Sequence, residues 1–145
     1  MQSQSREMRL RTVLGVVGAF VLMTGINVGF GGITTLGLQG PTDFIRIADP
    51  AAFQVQDSHV RFLGGVWLGI GLLFAAAAVK LDVLRSIVCA AMVLVIVGGL
   101  SRLSGGVSDL LLEPAVGPSL VAEVVLMPLL LWWTWRGATP AYSVE

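Results

Sequence analysis

The chain has 145 residues, 55% hydrophobic and 12% charged, with nine basic and nine acidic side chains that cancel and a mean hydropathy of +0.85. A soluble domain carries about 25% charged residues, so this composition excludes a soluble enzyme, a disordered chain and a basic nucleic-acid binder. The single Cys excludes a disulfide framework and a Cys-based metal centre, and what remains is an integral membrane protein.

A spanning helix needs about 20 mostly apolar residues, because roughly 30 Å of hydrocarbon is crossed at 1.5 Å per residue. Four stretches qualify: Val13–Leu38, Val60–Val79, Val83–Leu103 and Val116–Trp135. The first is uncharged, and the second has Arg61 near its start. The third has a short apolar run between Arg85 and Arg102, whose long side chains can snorkel to opposite interfaces. The fourth contains one acid, Glu123. The first stretch follows Arg6, Arg9 and Arg11, as a signal peptide would, but it is too long for such a segment and no A-x-A site follows it. It reads as a retained helix.

Orientation follows from Lys and Arg. With the N-terminus inside, the inner side receives Arg6, Arg9, Arg11, Lys80, Arg85 and Arg136, and the outer side Arg46, Arg61 and Arg102. Both termini are therefore expected in the cytoplasm, with Trp132, Trp133 and Trp135 as an inner interfacial anchor. The expected fold is all-α: an up-down-up-down four-helix bundle forming a single membrane domain over residues 1–145, in the cell (inner or plasma) membrane. The inner turn around Asp82 is short. The outer segment 39–58 is expected to hold one or two short interfacial helices, with Asp49-Pro50 as a helix start. The outer segment 104–119, with Gly105, Gly106, Pro114, Gly117 and Pro118, reads as a structured turn or flap.

Small residues mark the faces where membrane helices approach closely. At 100° per residue, Gly18, Gly25, Gly29 and Gly32 lie within about 60° of one another. They form a candidate packing or partner face on the first helix, with Asn27 on the opposite side as interhelical glue or a partner contact. Arg61 shares a face with Gly64, Gly65, Leu68, Leu72 and Ala75. Arg102 shares one with Gly98, Val95, Ala91 and Val88, and Glu123 one with Ser119, Met127, Leu130 and Thr134. A carboxylate in a span is costly unless paired. These residues predict an Arg61–Glu123–Arg102 cluster, with Asp57 one turn above Arg61 as a further acceptor. Such a cluster serves either as a structural clamp or as a site for a polar headgroup.

The other candidates read as structural. His59 has no second His with which to hold a metal and is placed at the outer interface. Cys89 lies deep in the third helix as an inert thiol. Pro128 is expected to kink the fourth helix. No P-loop, dinucleotide, haem or zinc motif is present, and no cofactor is expected.

Three segments carry a family resemblance. Arg61-Phe62-Leu63-Gly64-Gly65-Val66-Trp67-Leu68-Gly69-Ile70-Gly71 resembles a second-helix signature R-F-x-G-G-x-x-x-G-x-G, and Gly98-Gly99-Leu100-Ser101-Arg102-Leu103-Ser104 a third-helix ending G-G-x-x-R-x-x-S. Gly117-Pro118, Glu123 and Pro128 resemble the G-P…E…P of a fourth helix. Together they are similar to a family of small bacterial four-helix membrane proteins catalogued as a domain of unknown function, itself distantly related to DoxX-like proteins. The resemblance implies a four-helix bundle with Arg61, Arg102 and Glu123 at its charged motif positions, and it implies no activity. The functional expectation is a non-catalytic accessory subunit of a larger membrane complex, a transport assembly such as a lipid importer being the first candidate. Its partners would be a larger membrane protein and membrane lipids, with no nucleic acid. The alternative is a protein that binds a lipid or quinone-like ligand through the Arg/Glu cluster.

Overall fold

The computed structural model describes residues 2–35, 47–104, 114 and 116–137. The described elements are all helical. They are α1 (Gln2–Gly31) with a 3-10 turn (Gly32–Thr34), α2 (Pro50–Val79), α3 (Leu81–Leu103), α4 (Gly117–Val121), a π-helical turn (Ala122–Leu126) and α5 (Met127–Arg136). The last three run on as one fourth span, Gly117–Arg136. Four helices are long and apolar enough to cross a membrane, as in a multi-pass membrane protein, and in each no more than 33% of the most apolar window is buried.

Asp49-Pro50 is a helix start, but the helix it starts is α2 itself. The Asp49 carboxylate accepts the N–H groups of Ala51 at 2.9 Å and Ala52 at 3.1 Å. Pro50 follows, where a missing N–H costs nothing. The short interfacial helices expected over residues 39–58 are therefore replaced, from residue 50 onward, by an extension of α2; the remainder of that segment up to residue 46 lies outside the described residues. At 1.5 Å per residue, 30 residues reach about 45 Å, well beyond the roughly 30 Å hydrocarbon thickness. Most of the expected flap after Ser104 also lies outside the described residues. The break between α2 and α3 falls at Lys80, and Asp82 already sits in the first turn of α3.

The chain divides into two compact units, Val13–Ala76 and Met1–Thr12 with Ala77–Glu145. In the first, α1 and α2 lie antiparallel in a regular register set by glycine. A Cβ on Gly18 would stand 2.9 Å from the Ala75 nitrogen, one on Gly71 2.7 Å from that of Leu22, and one on Gly25 2.4 Å from that of Leu68. A Cβ on Gly64 would stand 2.2 Å from the Gly29 nitrogen. The contacts climb α1 at residues 18, 22, 25 and 29 and descend α2 at 75, 71, 68 and 64, with a glycine at every level. Backbone meets backbone, which is how apolar helices gain contact when lipid offers no hydrophobic drive.

This register corrects part of the expected α2 face. Gly65 and Gly69 have open space where a Cβ would go, and Leu72 is exposed. The packed line is Gly64, Leu68, Gly71 and Ala75. On α1 the predicted stripe Gly18, Gly25, Gly29 and Gly32 is the contact face, and α2 occupies it.

In the second unit α3 packs on the fourth span. Val88, Met92, Val95 and Gly99 are buried on α3, and Leu120, Glu123, Met127, Leu130 and Thr134 on the fourth span. Both lines alternate steps of three and four, the spacing that keeps a seam facing its neighbour. Gly98, on the predicted α3 face, stands in open space, and its neighbour Gly99, which was not on that face, makes the close approach. At the other end Arg11 bonds Glu7 at 2.7 Å and Asp82 at 3.1 Å and donates to the Val79 carbonyl, tying the start of α1 to the α2–α3 junction.

Candidate functional site

Within each unit, charged residues singled out in the sequence form a pair: Arg102 with Glu123 in the second and Arg61 with Asp57 in the first. In the second unit Arg102 Nη2 lies 3.2 Å from Glu123 Oε1, and Arg102 Nη1 donates to Ser119 Oγ at 3.1 Å. The Ser119 hydroxyl itself donates to the Val116 carbonyl at 2.8 Å, so its oxygen is turned toward Arg102 as an acceptor. Glu123 is 6% exposed, and its Oε2 is enclosed with no hydrogen-bond partner among the described residues.

Two local features bring Glu123 there. Gly99 makes the room: a Cβ at that position would stand 2.6 Å from Glu123 Cβ and 3.2 Å from Oε2. Pro128 makes the turn. It has no N–H for the Val124 carbonyl, and in a tight α-turn its ring would press on that carbonyl. The helix widens just before it, and the Met127 N–H reaches back five residues to the Ala122 carbonyl. Such π turns are the expected relief for a strained helix and often carry functional side chains. Pro128 was expected to kink the helix; the described distortion is this widened turn, with Glu123 within it.

In the first unit Arg61 and Asp57 close the end of α1. Arg61 Nε lies 2.6 Å from Asp57 Oδ2, and its Nη atoms donate to the Phe30 and Gly31 carbonyls. Asp57 Oδ1 accepts the Ile33 N–H at 2.8 Å. A guanidinium on the last carbonyls of a helix also meets the negative end of its dipole. Gly32 has φ +69°, and a Cβ there would stand 2.0 Å from Asp57 Oδ1, so both backbone and space demand glycine.

The remaining candidates fall outside these pairs. His59 is exposed and Cys89 is a buried thiol. The Asn27 carbonyl accepts from Thr35 Oγ1 at 3.1 Å, and its side-chain Oδ1 is enclosed without a partner among the described residues. No group of three or more His, Cys, Asp or Glu side chains that could hold a metal occurs among the described residues.

Sequence reasoning passed over Gly99 and the Arg11 network. Each had a signal. Gly99 continues the line of Val88, Met92 and Val95 by a further step of four, and Glu7 stands one helical turn before Arg11. The π turn had only Pro128 to announce it.

Residues 9–134 match the family described as Domain of unknown function (DUF4345), and the chain belongs to that family. No curated protein and no solved structure shows a significant match to it.

Proposed function

We propose that this DUF4345 member is a non-catalytic, four-span protein of the cell (inner or plasma) membrane, threaded up-down-up-down with both termini cytoplasmic, that serves as an accessory subunit of a larger membrane assembly. The observation that supports this reading is a stripe on α1. Val16, Phe20, Met23, Ile26 and Phe30 are all exposed and recur at steps of three and four, roughly 80–160° from the glycine line that α2 covers. A partner helix would therefore meet these large side chains. The glycines, proposed from sequence as a partner face, are already in contact with α2. A transport complex such as a lipid importer is the first assembly to test.

The test is photocrosslinking in the native membrane from a benzophenone amino acid at Phe20 or Phe30. One discrete protein adduct, lost when the probe is moved to Gly65 on α2, is the expected result. Lipid adducts alone at both α1 positions would overturn the reading.

A second reading has its own support. Glu123 Oε2 lacks a partner among the described residues beside a guanidinium and a hydroxyl. The Glu123 charge offsets Arg102, so the group that best completes this set is a neutral hydroxyl donor, as on a quinol or a glycerol headgroup, rather than an anion. Loss of a co-purifying hydroxylated lipid in Glu123→Gln, with the fold retained, is the outcome this reading requires. Unchanged lipid content would exclude it.

A further inference from the structure

Asn27 lies on α1 opposite the glycine line that α2 covers, within the exposed stripe. At 100° per residue it falls within about 60° of Val16, Phe20, Met23 and Phe30. With it included, the stripe runs Val16, Phe20, Met23, Asn27, Phe30, alternating steps of four and three without a break. That is the 3.5-residue repeat of a helix that winds along a second helix. Asn27 takes a position in the repeat where an apolar side chain would ordinarily sit.

The chain itself gives this amide nothing to bond. The Asn27 backbone carbonyl accepts from Thr35 Oγ1, but the side-chain Oδ1 is enclosed with no hydrogen-bond partner among the described residues. The Thr24 hydroxyl, one turn earlier, is already donated to the Phe20 and Val21 carbonyls. A polar group without a partner is costly in apolar surroundings. In a helix seam, a single Asn of this kind fixes the register and the number of strands. Its complement must bring both a donor and an acceptor to the same depth.

A second copy of this chain meets that requirement by symmetry. Copies of one chain obey the same Lys and Arg bias, so their first helices thread the membrane in parallel. Two parallel α1 helices related by a two-fold axis carry Asn27 at one level, each facing its own counterpart. A different protein would need a polar side chain of its own at that depth. We infer that the partner helix on this stripe is α1 of a second copy, joined by an Asn27–Asn27 amide pair between Met23 and Phe30. The terminal torsion of Asn is soft, so the amide can turn into the seam. This inference rests on the reading that the α1 stripe receives a helix, and it makes the accessory subunit a dimer.

The test is disulfide cross-linking of the full chain in its native membrane, in a Cys89→Ala background that removes the one native thiol. Met23→Cys and Phe30→Cys should each give a product of twice the chain mass, and Leu94→Cys, exposed on α3, should give none. Equal cross-linking at all three positions would mean random collision and overturn the inference. Dilution of fluorescently labelled protein in lipid vesicles then measures the dimer. Asn27→Leu should weaken it by about 3- to 30-fold, the range for one hydrogen bond between membrane helices, while Asn27→Gln should keep most of the affinity. A monomeric wild type, or an Asn27→Leu dimer as tight as wild type, overturns the inference. The benzophenone probe at Phe20 separates this inference from the reading beneath it. An adduct of twice the chain mass supports the dimer. An adduct with a different protein alone keeps the accessory-subunit reading and overturns the dimer, and lipid adducts alone overturn both.

Discussion

Gly64 of α2 lies so close to Gly29 of α1 that a Cβ on the former would stand 2.2 Å from the backbone nitrogen of the latter. The glycine at the next lower level, Gly25, is as tightly held, against the Leu68 backbone. One residue away on α2, Gly65 faces open space. The same residue type therefore plays opposite parts one position apart.

Substitution separates those parts. Gly64→Ala and Gly25→Ala must push two backbones apart and should destabilise the protein by about 1–3 kcal/mol, the usual cost of overpacking. Gly65→Ala and Gly69→Ala should be neutral or stabilising by up to about 1 kcal/mol, since alanine is the better helix former. Thermal melting of the four variants in one detergent checks the contrast, and equal effects at positions 64 and 65 would refute the register.

At the end of α1, Asp57→Ala removes the acceptor of the Ile33 N–H and the partner of Arg61 together. The expected loss is about 1–3 kcal/mol, the cost of stranding polar groups. It should be local, read as faster hydrogen exchange at Gly32–Thr35 with little change in α3. Arg61→Lys keeps the charge but not the planar fork that spans Asp57 and two carbonyls, and should show part of the same loss.

The Arg102–Glu123 pair calls for a double-mutant cycle. Arg102→Met strands a buried carboxylate and should cost about 3–5 kcal/mol, Glu123→Leu leaves a part-exposed guanidinium and should cost less, and the double variant should lose much less than their sum. Additive losses would mean the two residues act separately. Gly99→Ala should mimic part of the single losses, because its methyl group meets Glu123 Cβ.

Pro128→Ala restores an N–H that can bond the Val124 carbonyl and removes the reason for the wide turn. The turn should then tighten and rotate Glu123 away from Arg102. The Arg102–Glu123 coupling energy measured in that background is expected to fall, and an unchanged coupling would show that the wide turn has another cause.

How much of this was legible follows from what each feature depends on. The four spans could be read directly, because their length and apolarity are properties of single segments. The α1 glycine stripe was also legible, since 100° per residue places Gly18, Gly25, Gly29 and Gly32 together without reference to any neighbour. Asp49-Pro50 announced a helix start, but the sequence reading stopped that helix too soon. The polar residues of 50–58 read as a separate short helix on the interface, although a spanning helix can continue past the hydrocarbon without changing its backbone. The Arg61–Asp57 pair could be read from spacing, because Asp57 is one helical turn away and needs no tertiary contact to reach Arg61.

The sequence alone determined that this chain builds helices long and apolar enough to cross a membrane, which face of α1 carries small residues, and which charged residues need partners. Those depend on composition and on the geometry of one helix at a time. Only the tertiary structure decided that Gly64 rather than Gly65 meets α1 and that Gly99 rather than Gly98 admits Glu123. Each is a choice between neighbours roughly 100° apart on a helix, and it is settled by how one helix turns against another. No single helix contains that rotation.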